Sequence, residues 1–236
     1  MIYHLNVYPT WQSVAPSEIK NTISVVIDVL RASNTIITAL NNGAEKIIPL
    51  TEIDPAWELK AKNPEFLLGG ERKSEKIAGF DFGNSPREYD KAKVAGKTII
   101  FTTSNGSKAL QKAAPAAEVL VASFANSTAL ARRLAGRQRD VSVICAGTLA
   151  TPSLEDTLAA GKIISHIENL HEYVLNDYAY LALGSYQNYR SKLLEVVLNS
   201  ANGRRLRNLG QMEDIKHCVL ENITAKIPEY QENIVV

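Results

Sequence analysis

The chain has 236 residues, of which 45% are hydrophobic and 22% are charged, and its formal net charge is +1. A nearly neutral chain without a basic tail gives no electrostatic reason to expect a nucleic-acid partner, and its apolar runs are too short for a membrane span. Cys145 and Cys218 form no CxxC pair, and the first residues lack the pattern of a signal peptide. We therefore expect a cytoplasmic protein with no nucleic-acid and no membrane partner.

Strands and helices alternate through the first three quarters of the chain. "MIYHLNVY" alternates like a strand, and "TISVVIDVL" is a continuous apolar run typical of a buried strand, followed by helix signals from Ser33 or Asn34 to Gly43. Further strands are predicted at "EKIIPL", "EFLLGGE", "KTIIFTT", "EVLVAS" and "VSVICAG", and helices follow the last three. The order predicts a three-layer α/β/α fold with a mostly parallel, mixed sheet.

No Pro/Gly/Ser linker divides the chain, so we predict a single α/β domain over residues 1–236. The segment from about residue 185 to residue 236 is predicted to be helical and to pack on the sheet or on a neighbour. The loop from Glu71 to Lys97 is rich in charge, Gly and Pro, which indicates a functional or partly mobile segment. A homodimer is one of the oligomeric states that are compatible with the sequence.

Polar residues gather at the predicted carboxyl ends of the strands, where open α/β sheets bind their ligands. Small residues at helix starts offer backbone N–H groups to a phosphate, and arginines offer a bidentate fork to the same oxygens. Carboxylates repel a phosphate unless a divalent cation lies between them, and Mg²⁺ suits one or two carboxylates with substrate oxygens and water. The residues at these ends are Asp28, Arg31, Ser33, Asn34, Gly69, Gly70, Glu71, Arg72, Thr102, Thr103, Ser104, Asn105, Gly106, Ser123, Asn126, Ser127, Gly147, Thr148, Ser153, Glu155 and Asp156.

Each of these features also has a structural interpretation. Asp28 is either a metal ligand or nucleophile, or a buried acid that pairs with Arg31 or caps a helix. "SLED" fits a capping box with Ser153 at the N-cap, and "TTSNG" fits an ordinary helix start. The chain has no GxxxxGK[ST] loop, no GxGxxG after a strand, no GxSxG elbow and no histidine spacing typical of zinc.

Six segments, taken together, resemble the 2-phosphosulfolactate phosphatase (ComB-like) family. The resemblance implies an α/β fold and a Mg²⁺-dependent phosphatase that converts 2-phospho-3-sulfolactate to 3-sulfolactate and phosphate in coenzyme M biosynthesis. The segments, in the family's order, are "VVIDVLRASNTIITALNNGA", "LLGGERKSEKIAGFDFGNSPREY", "GKTIIFTTSNGSKAL", "VLVASFANSTALA", "VICAGTLATPSLEDTLAAG" and, weakly, "NSANGRRLRNLGQMEDIKHC".

The resemblance and the strand-end chemistry together give three sets of expected site residues. The expected catalytic residues are Asp28, Arg31 and Arg72. The expected metal ligands are Asp28, Glu71, Asp81, Glu155 and Asp156. The expected substrate-binding residues are Ser33, Asn34, Asn84, Ser85, Thr103, Ser104, Asn105, Gly106, Arg204 and Arg205, the two arginines for a sulfonate or carboxylate.

The chain departs from the family pattern at a few positions. Ser33 and Asn34 stand in "DVLRASNT" where the family usually has "DVLRATST", and Lys73 and Ser74 replace a glycine pair. Asn202 stands where an imidazole is expected, and Ala159 where a cysteine is often found. These departures spare the expected metal and phosphate groups and change the surroundings of the substrate's other end.

Three alternatives remain open at this point. The attack on phosphorus comes either from Asp28, giving an aspartyl-phosphate, or from water. The substrate is either phosphosulfolactate or another small anionic phosphomonoester. A non-catalytic binder of small anions is a different class of function, but such a binder has little use for five carboxylates.

Overall fold

The computed structural model describes residues 2–236. Its strands, in chain order, are β1 (Tyr3–Tyr8), β2 (Ile23–Ile27), β3 (Lys46–Leu50), β4 (Leu67–Arg72), β5 (Glu75–Lys76), β6 (Thr98–Thr102), β7 (Glu118–Ala122), β8 (Val141–Cys145), β9 (Tyr173–Leu175), β10 (Tyr230–Gln231) and β11 (Ile234–Val235). Its α-helices are α1 (Pro16–Ile19), α2 (Ala32–Asn41), α3 (Asp54–Lys62), α4 (Lys91–Val94), α5 (Gly106–Ala113), α6 (Ser127–Ala135), α7 (Leu154–Ile167), α8 (Asp177–Tyr189), α9 (Leu193–Leu198), α10 (Ala201–Asn208) and α11 (Met212–Cys218).

The strands form two sheets. In the first sheet, strands β7, β2, β8, β1 and β9 lie side by side in that order and all pair in parallel. In the second, the order is β10, β11, β3, β6, β4 and β5, with a parallel centre and antiparallel edges. The predicted α/β class, with mostly parallel strands between helices, is confirmed. The division into two sheets was not predicted, because an apolar run identifies a strand and not its pairing partner.

Strand β2 is buried on both faces, which explains its unbroken apolar sequence. Ile23, Val25 and Ile27 pack in one core cluster with α6 and α7, whereas Val26 faces a second cluster that contains α2 and α5. That second cluster also includes residues of β3 and β6, so α2 and α5 lie between the two sheets. Because α2 follows β2 and α5 follows β6, the carboxyl ends of both sheets open at the starts of these two helices.

The C-terminal segment is helical only as far as Cys218. The prediction of helix to residue 236 is therefore wrong for the last part, which is extended and ends in the two short strands β10 and β11. A turn with positive φ at Glu232 and Asn233 and the β-branched sequence "NIVV" favour this hairpin over a helix.

The predicted loop from Glu71 to Lys97 contains local structure. It holds β5, a 3₁₀ turn at Pro86–Glu88 and α4. No helix among residues 2–236 has both the length and the apolar composition needed to cross a bilayer.

Candidate active site

A pocket lies where the carboxyl ends of β2, β4, β6 and β8 meet the starts of α7 and α10. Its enclosed volume is about 40 Å³, and at roughly 10–15 Å³ per water molecule it has space for about three waters. The enclosed space therefore suits a phosphoryl-sized group, and a larger substrate must extend to the mouth. The lining residues are Asp28, Leu30, Arg31, Glu71, Lys73, Ser74, Asn84, Ser104, Asn105, Gly147, Thr148, Ser153, Glu155, Asp156, Asn202 and Arg205.

Asp28 lies just beyond the end of β2, at the start of α2. Its Oδ1 accepts a hydrogen bond from the Ala32 N–H at 3.3 Å, whereas no donor among residues 2–236 reaches its Oδ2. A Cβ on Gly106 would lie 2.9 Å from that Oδ2 and 2.6 Å from the Ala32 Cβ. The first residue of α5 therefore approaches Asp28 this closely only because it is glycine.

Arg31 does not pair with Asp28, so the proposed Asp28–Arg31 ion pair is wrong. Its Nη1 donates to Asp214 Oδ2 at 2.6 Å and its Nη2 to the Ser74 carbonyl at 2.8 Å. Both Arg31 and Asp214 are buried. The guanidinium lines the pocket, but the carboxylate of Asp214 already balances its charge. The two residues are 183 positions apart in the sequence, so no local sequence pattern reveals this pair.

Glu155 and Asp156 of "SLED" face the pocket and are buried. Asp156 accepts hydrogen bonds from the Val29 N–H at 2.8 Å and the Gly147 N–H at 3.1 Å. Glu155 Oε1 accepts one from Asn202 Nδ2 at 2.7 Å. Ser153 is the N-cap residue of α7, but its side chain caps no helix N–H and instead bonds Thr148 Oγ1. The capping-box interpretation of this motif is therefore wrong.

Burial and nearby negative charge disfavour the charged forms of Asp28 and Asp156. Burial, and then the nearby Glu71, raises the pKa of Asp28 to about 7, against the opposing hydrogen bond from Ala32. Burial, and then Asp28 and Glu155, raises the pKa of Asp156 well above its usual value. The pocket thus concentrates carboxylates whose charged forms would be stabilised by a cation.

Glu71 holds two loops together at the edge of the pocket. Its Oε1 accepts a hydrogen bond from the Ser104 N–H at 2.8 Å, and its Oε2 accepts one from the Ser74 N–H at 2.7 Å. Both carboxylate oxygens are therefore engaged by protein donors.

The side chain of Arg72 lies outside the pocket and donates to the Thr51 carbonyl and Thr102 Oγ1, which corrects its predicted catalytic position.

Several predicted site residues do not line the pocket. Asp81 accepts from the Leu68 N–H at 2.7 Å, and Ser85 donates to Asp214 Oδ1 at 2.6 Å, so both serve the framework. Arg204 is exposed and donates to the Asn199 carbonyl. The buried side chains that hold the surrounding loops, and not the pocket itself, are Ser33, Asn34 and Thr103.

The residues gathered here include some that sequence reasoning did not assign to the site. In the sequence, Asn202 and Lys73 stand out only as departures from a family pattern, and no motif marks Asp214. Asn84 was predicted, and it lies in the pocket with a buried side-chain oxygen that has no hydrogen-bond partner among residues 2–236. Ser104 and Asn105 also line the pocket as predicted, beside Gly106 at the start of α5.

A metal ion would need ligands from outside the protein. Among residues 2–236, no group of three or more His, Cys, Asp and Glu side chains could hold a metal ion. Mg²⁺, however, is commonly bound by one or two carboxylates together with water and substrate phosphate. Of the carboxylate oxygens that line the pocket, Asp28 Oδ2 and Glu155 Oε2 have no hydrogen-bond donor among the described residues, and they fit that kind of site.

Comparisons with known proteins give one consistent result. The family model described as 2-phosphosulpholactate phosphatase matches residues 8–233. A protein of Caldanaerobacter subterraneus subsp. tengcongensis is 41% identical over 234 residues, which cover 98% of this chain and 97% of the relative. Relatives from Carboxydothermus hydrogenoformans and Thermotoga maritima are 43% and 39% identical, each over about nine tenths of both chains. All three are named "Probable 2-phosphosulfolactate phosphatase".

Proposed function

Because the chain belongs to the 2-phosphosulpholactate phosphatase family, we propose that it hydrolyses 2-phospho-3-sulfolactate to 3-sulfolactate and phosphate in a Mg²⁺-dependent reaction. Family membership confirms the resemblance expected from the sequence and makes the chain a phosphoric monoester hydrolase. The substrate, the metal and a place in coenzyme M biosynthesis are our proposal. The observation that carries it is the position of Asp28 Oδ2, without a hydrogen-bond donor, beside the start of α5.

The start of α5 provides the proposed binding site for the phosphoryl oxygens. Backbone N–H groups at a helix N-terminus have no partner within the helix, and the helix dipole favours an anion there. Asn105 is the N-cap residue of α5 and lines the pocket. Since Gly106 brings this end of the helix up to Asp28, a phosphoryl group bound there lies next to the carboxylate.

Asp28 is the proposed group at the attack on phosphorus. Its carboxylate either attacks directly, forming an aspartyl-phosphate as the P–O bond to the ester oxygen breaks, or takes the proton from an attacking water as that bond breaks. The departing alkoxide takes a proton from solvent to give 3-sulfolactate, and in the first case water then hydrolyses the aspartyl-phosphate. In the metal-free protein burial raises the pKa of Asp28 to about 7. Mg²⁺ bound beside it would stabilise the carboxylate, which is the form that either route requires. An acid-labile phosphoenzyme that is trapped in the wild type and lost in Asp28→Asn would indicate direct attack, and its absence from the wild type would indicate water.

Asp28 and Glu155 are the proposed Mg²⁺ ligands, and Asp156 and Glu71 position the surrounding loops. When bound, Mg²⁺ supplies positive charge that stabilises the phosphoryl oxygens in the transition state. We exclude Asp81 from the ligand set because its carboxylate bonds the β4 backbone outside the pocket. Asn202 fixes one oxygen of Glu155, which leaves the other for the cation.

Phosphate release from a panel of phosphomonoesters, measured with Mg²⁺ and with a chelator, tests the proposed function. We expect turnover of phosphosulfolactate that is lost on chelation and restored by Mg²⁺. A protein that binds these anions and releases no phosphate from any ester would instead be a non-catalytic binder. Turnover that is indifferent to chelation would contradict the metal dependence alone.

A further inference from the structure

Two basic side chains at the pocket have no acidic partner. Three cations line the pocket, and Arg31 is neutralised by Asp214. Among residues 2–236, no carboxylate lies within ion-pair distance of Lys73 or Arg205, and neither side chain makes a hydrogen bond to the protein. Two unpaired positive charges beside a group of carboxylates are available to a ligand.

Lys73 is held at the mouth by an unusual turn. Lys73 and Ser74 connect the antiparallel strands β4 and β5, and their φ angles are 55° and 68°. Two-residue hairpin turns with positive φ at both positions favour Gly, Asn and Asp. Contacts of Ser74 fix the turn, because its N–H donates to Glu71 Oε2 and its carbonyl accepts from Arg31 Nη2 and Gln211 Nε2. Lys73 is exposed and lines the pocket, so it lies at the outer rim.

Arg205 reaches the pocket from α10. It lies on α10 three residues after Asn202, and residues at this spacing share a helix face. Asn202 contacts Glu155 inside the pocket, so this face of α10 points at the carboxylates. Arg205 is half-buried. Its neighbour Arg204 is exposed and lies outside the pocket.

We propose that Arg205 binds the carboxylate and Lys73 the sulfonate of the substrate, so that the enzyme selects phosphate esters carrying two further anionic groups. This inference rests on the proposed function. The carboxylate is attached to the same carbon as the phosphate ester, and the planar fork of the deeper Arg205 matches its two oxygens. The sulfonate is one carbon further out, where the exposed ammonium of Lys73 provides a point charge.

The size of the pocket supports this arrangement. Its enclosed space of about 40 Å³ suits the phosphoryl group and not the whole substrate. The remaining two anionic groups must therefore lie at the mouth, where the two unpaired cations are found. The carboxylates inside the pocket would repel them from any deeper position.

A series of three substrates tests the assignment, since each lacks one more anionic group than the last. They are 2-phospho-3-sulfolactate, 2-phospholactate, which lacks the sulfonate, and isopropyl phosphate, which lacks the carboxylate as well. The variants are Lys73→Gln and Arg205→Gln. Arg204→Gln on the same helix and Lys76→Gln on the same hairpin are matched controls, because neither residue lines the pocket. Calorimetric binding of sulfolactate and lactate repeats the comparison without turnover.

We expect Lys73→Gln to lower kcat/KM about fivefold on phosphosulfolactate, as for an exposed ion pair, and to leave the other two substrates unchanged. Arg205→Gln should lower kcat/KM about ten- to hundredfold on phosphosulfolactate and on phospholactate, the two esters that carry a carboxylate. It should leave kcat/KM for isopropyl phosphate unchanged. Arg205→Lys should retain part of the activity, which shows that the loss is not one of folding.

Losses of equal size on all three substrates would overturn the proposal, as would losses of equal size in the Arg204 and Lys76 controls. The reverse pattern, with Arg205 sensitive to the sulfonate alone, would overturn the assignment of the two groups. Wild-type protein that hydrolyses all three esters equally would refute this selectivity while leaving phosphatase activity intact. A wild type that hydrolyses none of them would instead refute the proposed function.

Discussion

Asn202 holds the carboxylate of Glu155 in place by a hydrogen bond. Its Nδ2 donates to Glu155 Oε1 at 2.7 Å and to Thr148 Oγ1 at 2.6 Å. An amide cannot exchange a proton near neutral pH as an imidazole does, so Asn202 serves to orient Glu155 and not to transfer protons. In the proposed function Glu155 binds Mg²⁺, and groups that orient metal ligands in this way commonly affect metal affinity strongly.

Replacing Asn202 with alanine should therefore weaken the response to Mg²⁺. We expect the Mg²⁺ concentration for half-maximal activity to rise about ten- to hundredfold in Asn202→Ala, with a smaller change in kcat at saturating metal. Titration of activity with Mg²⁺ measures the effect. Asn199→Ala, which removes an exposed asparagine from the same segment, is the control. An unchanged Mg²⁺ requirement in Asn202→Ala would exclude this orienting role.

The raised pKa of Asp28 makes the metal-free protein sensitive to pH. Between the ordinary aspartate pKa near 3.8 and the folded value of about 7, the folded state holds a proton that the unfolded chain has released. The folded state then binds more protons, so the free energy of unfolding decreases as pH rises through this range, by up to about 1.4 kcal/mol per pH unit for one group.

The neutral variant Asp28→Asn should lack this loss. In metal-free buffer, we expect Asp28→Asn to gain stability relative to the wild type between pH 4.5 and pH 7, with the gain given by urea unfolding at each pH. Asp28→Asn also removes one of the charges that raise the pKa of Asp156, so the change at Asp156 adds to the difference in the same direction. A difference that stays constant across the range would contradict the burial-raised pKa.

At the scale of the elements, the start of α7 shows how far sequence reasoning reaches. The strand before it and the helix from Leu154 were predicted from apolar periodicity, and Ser153 is the N-cap residue as expected. The direction of the two carboxylates was not predictable, because Asp156 bonds the backbone at Val29, 127 residues earlier in the chain. Local capping rules therefore favoured a helix-capping role for this motif, whereas the tertiary contacts turn its two carboxylates toward the pocket.

The C-terminal hairpin joins the two sheets. The Val121 N–H of β7 donates to the Pro228 carbonyl at 2.9 Å, and Leu120 forms an isolated bridge with Glu229. On the other side, Val235 of β11 pairs with Ile47 of β3. A few residues at the end of the chain thus connect an edge strand of the first sheet to the second sheet.

Shortening the buried side chain of this hairpin should destabilise the fold. Val235 is fully buried, so we expect Val235→Ala to lower the free energy of unfolding by about 2 kcal/mol. Val236→Ala, at a more exposed neighbouring position, should change it by less than about 0.5 kcal/mol. Urea unfolding of both variants measures the difference, and equal effects would indicate that the hairpin side chains do not stabilise the core.

At the scale of the whole molecule, the site is assembled from both sheets. Asp28 and Gly147 follow strands of the first sheet, whereas Glu71 and Ser104 belong to the second. The principle that ligands bind at the carboxyl ends of strands predicted that these residues lie together, and all four line the one pocket. It did not exclude Arg72 or Asp81, because residues adjacent in sequence to a strand end point in different directions, and one sequence does not reveal which of them face the pocket.

The two sheets open toward one pocket, where the buried carboxylates and the start of α5 together form the proposed phosphatase site. The most direct measurement is kcat/KM for phosphate release from 2-phospho-3-sulfolactate by the wild type and by Asp28→Asn, with saturating Mg²⁺. We predict measurable turnover by the wild type and a loss of about 10²–10⁴-fold in a correctly folded Asp28→Asn. A folded Asp28→Asn variant with wild-type activity would contradict the proposed role of Asp28 and this assignment of the site.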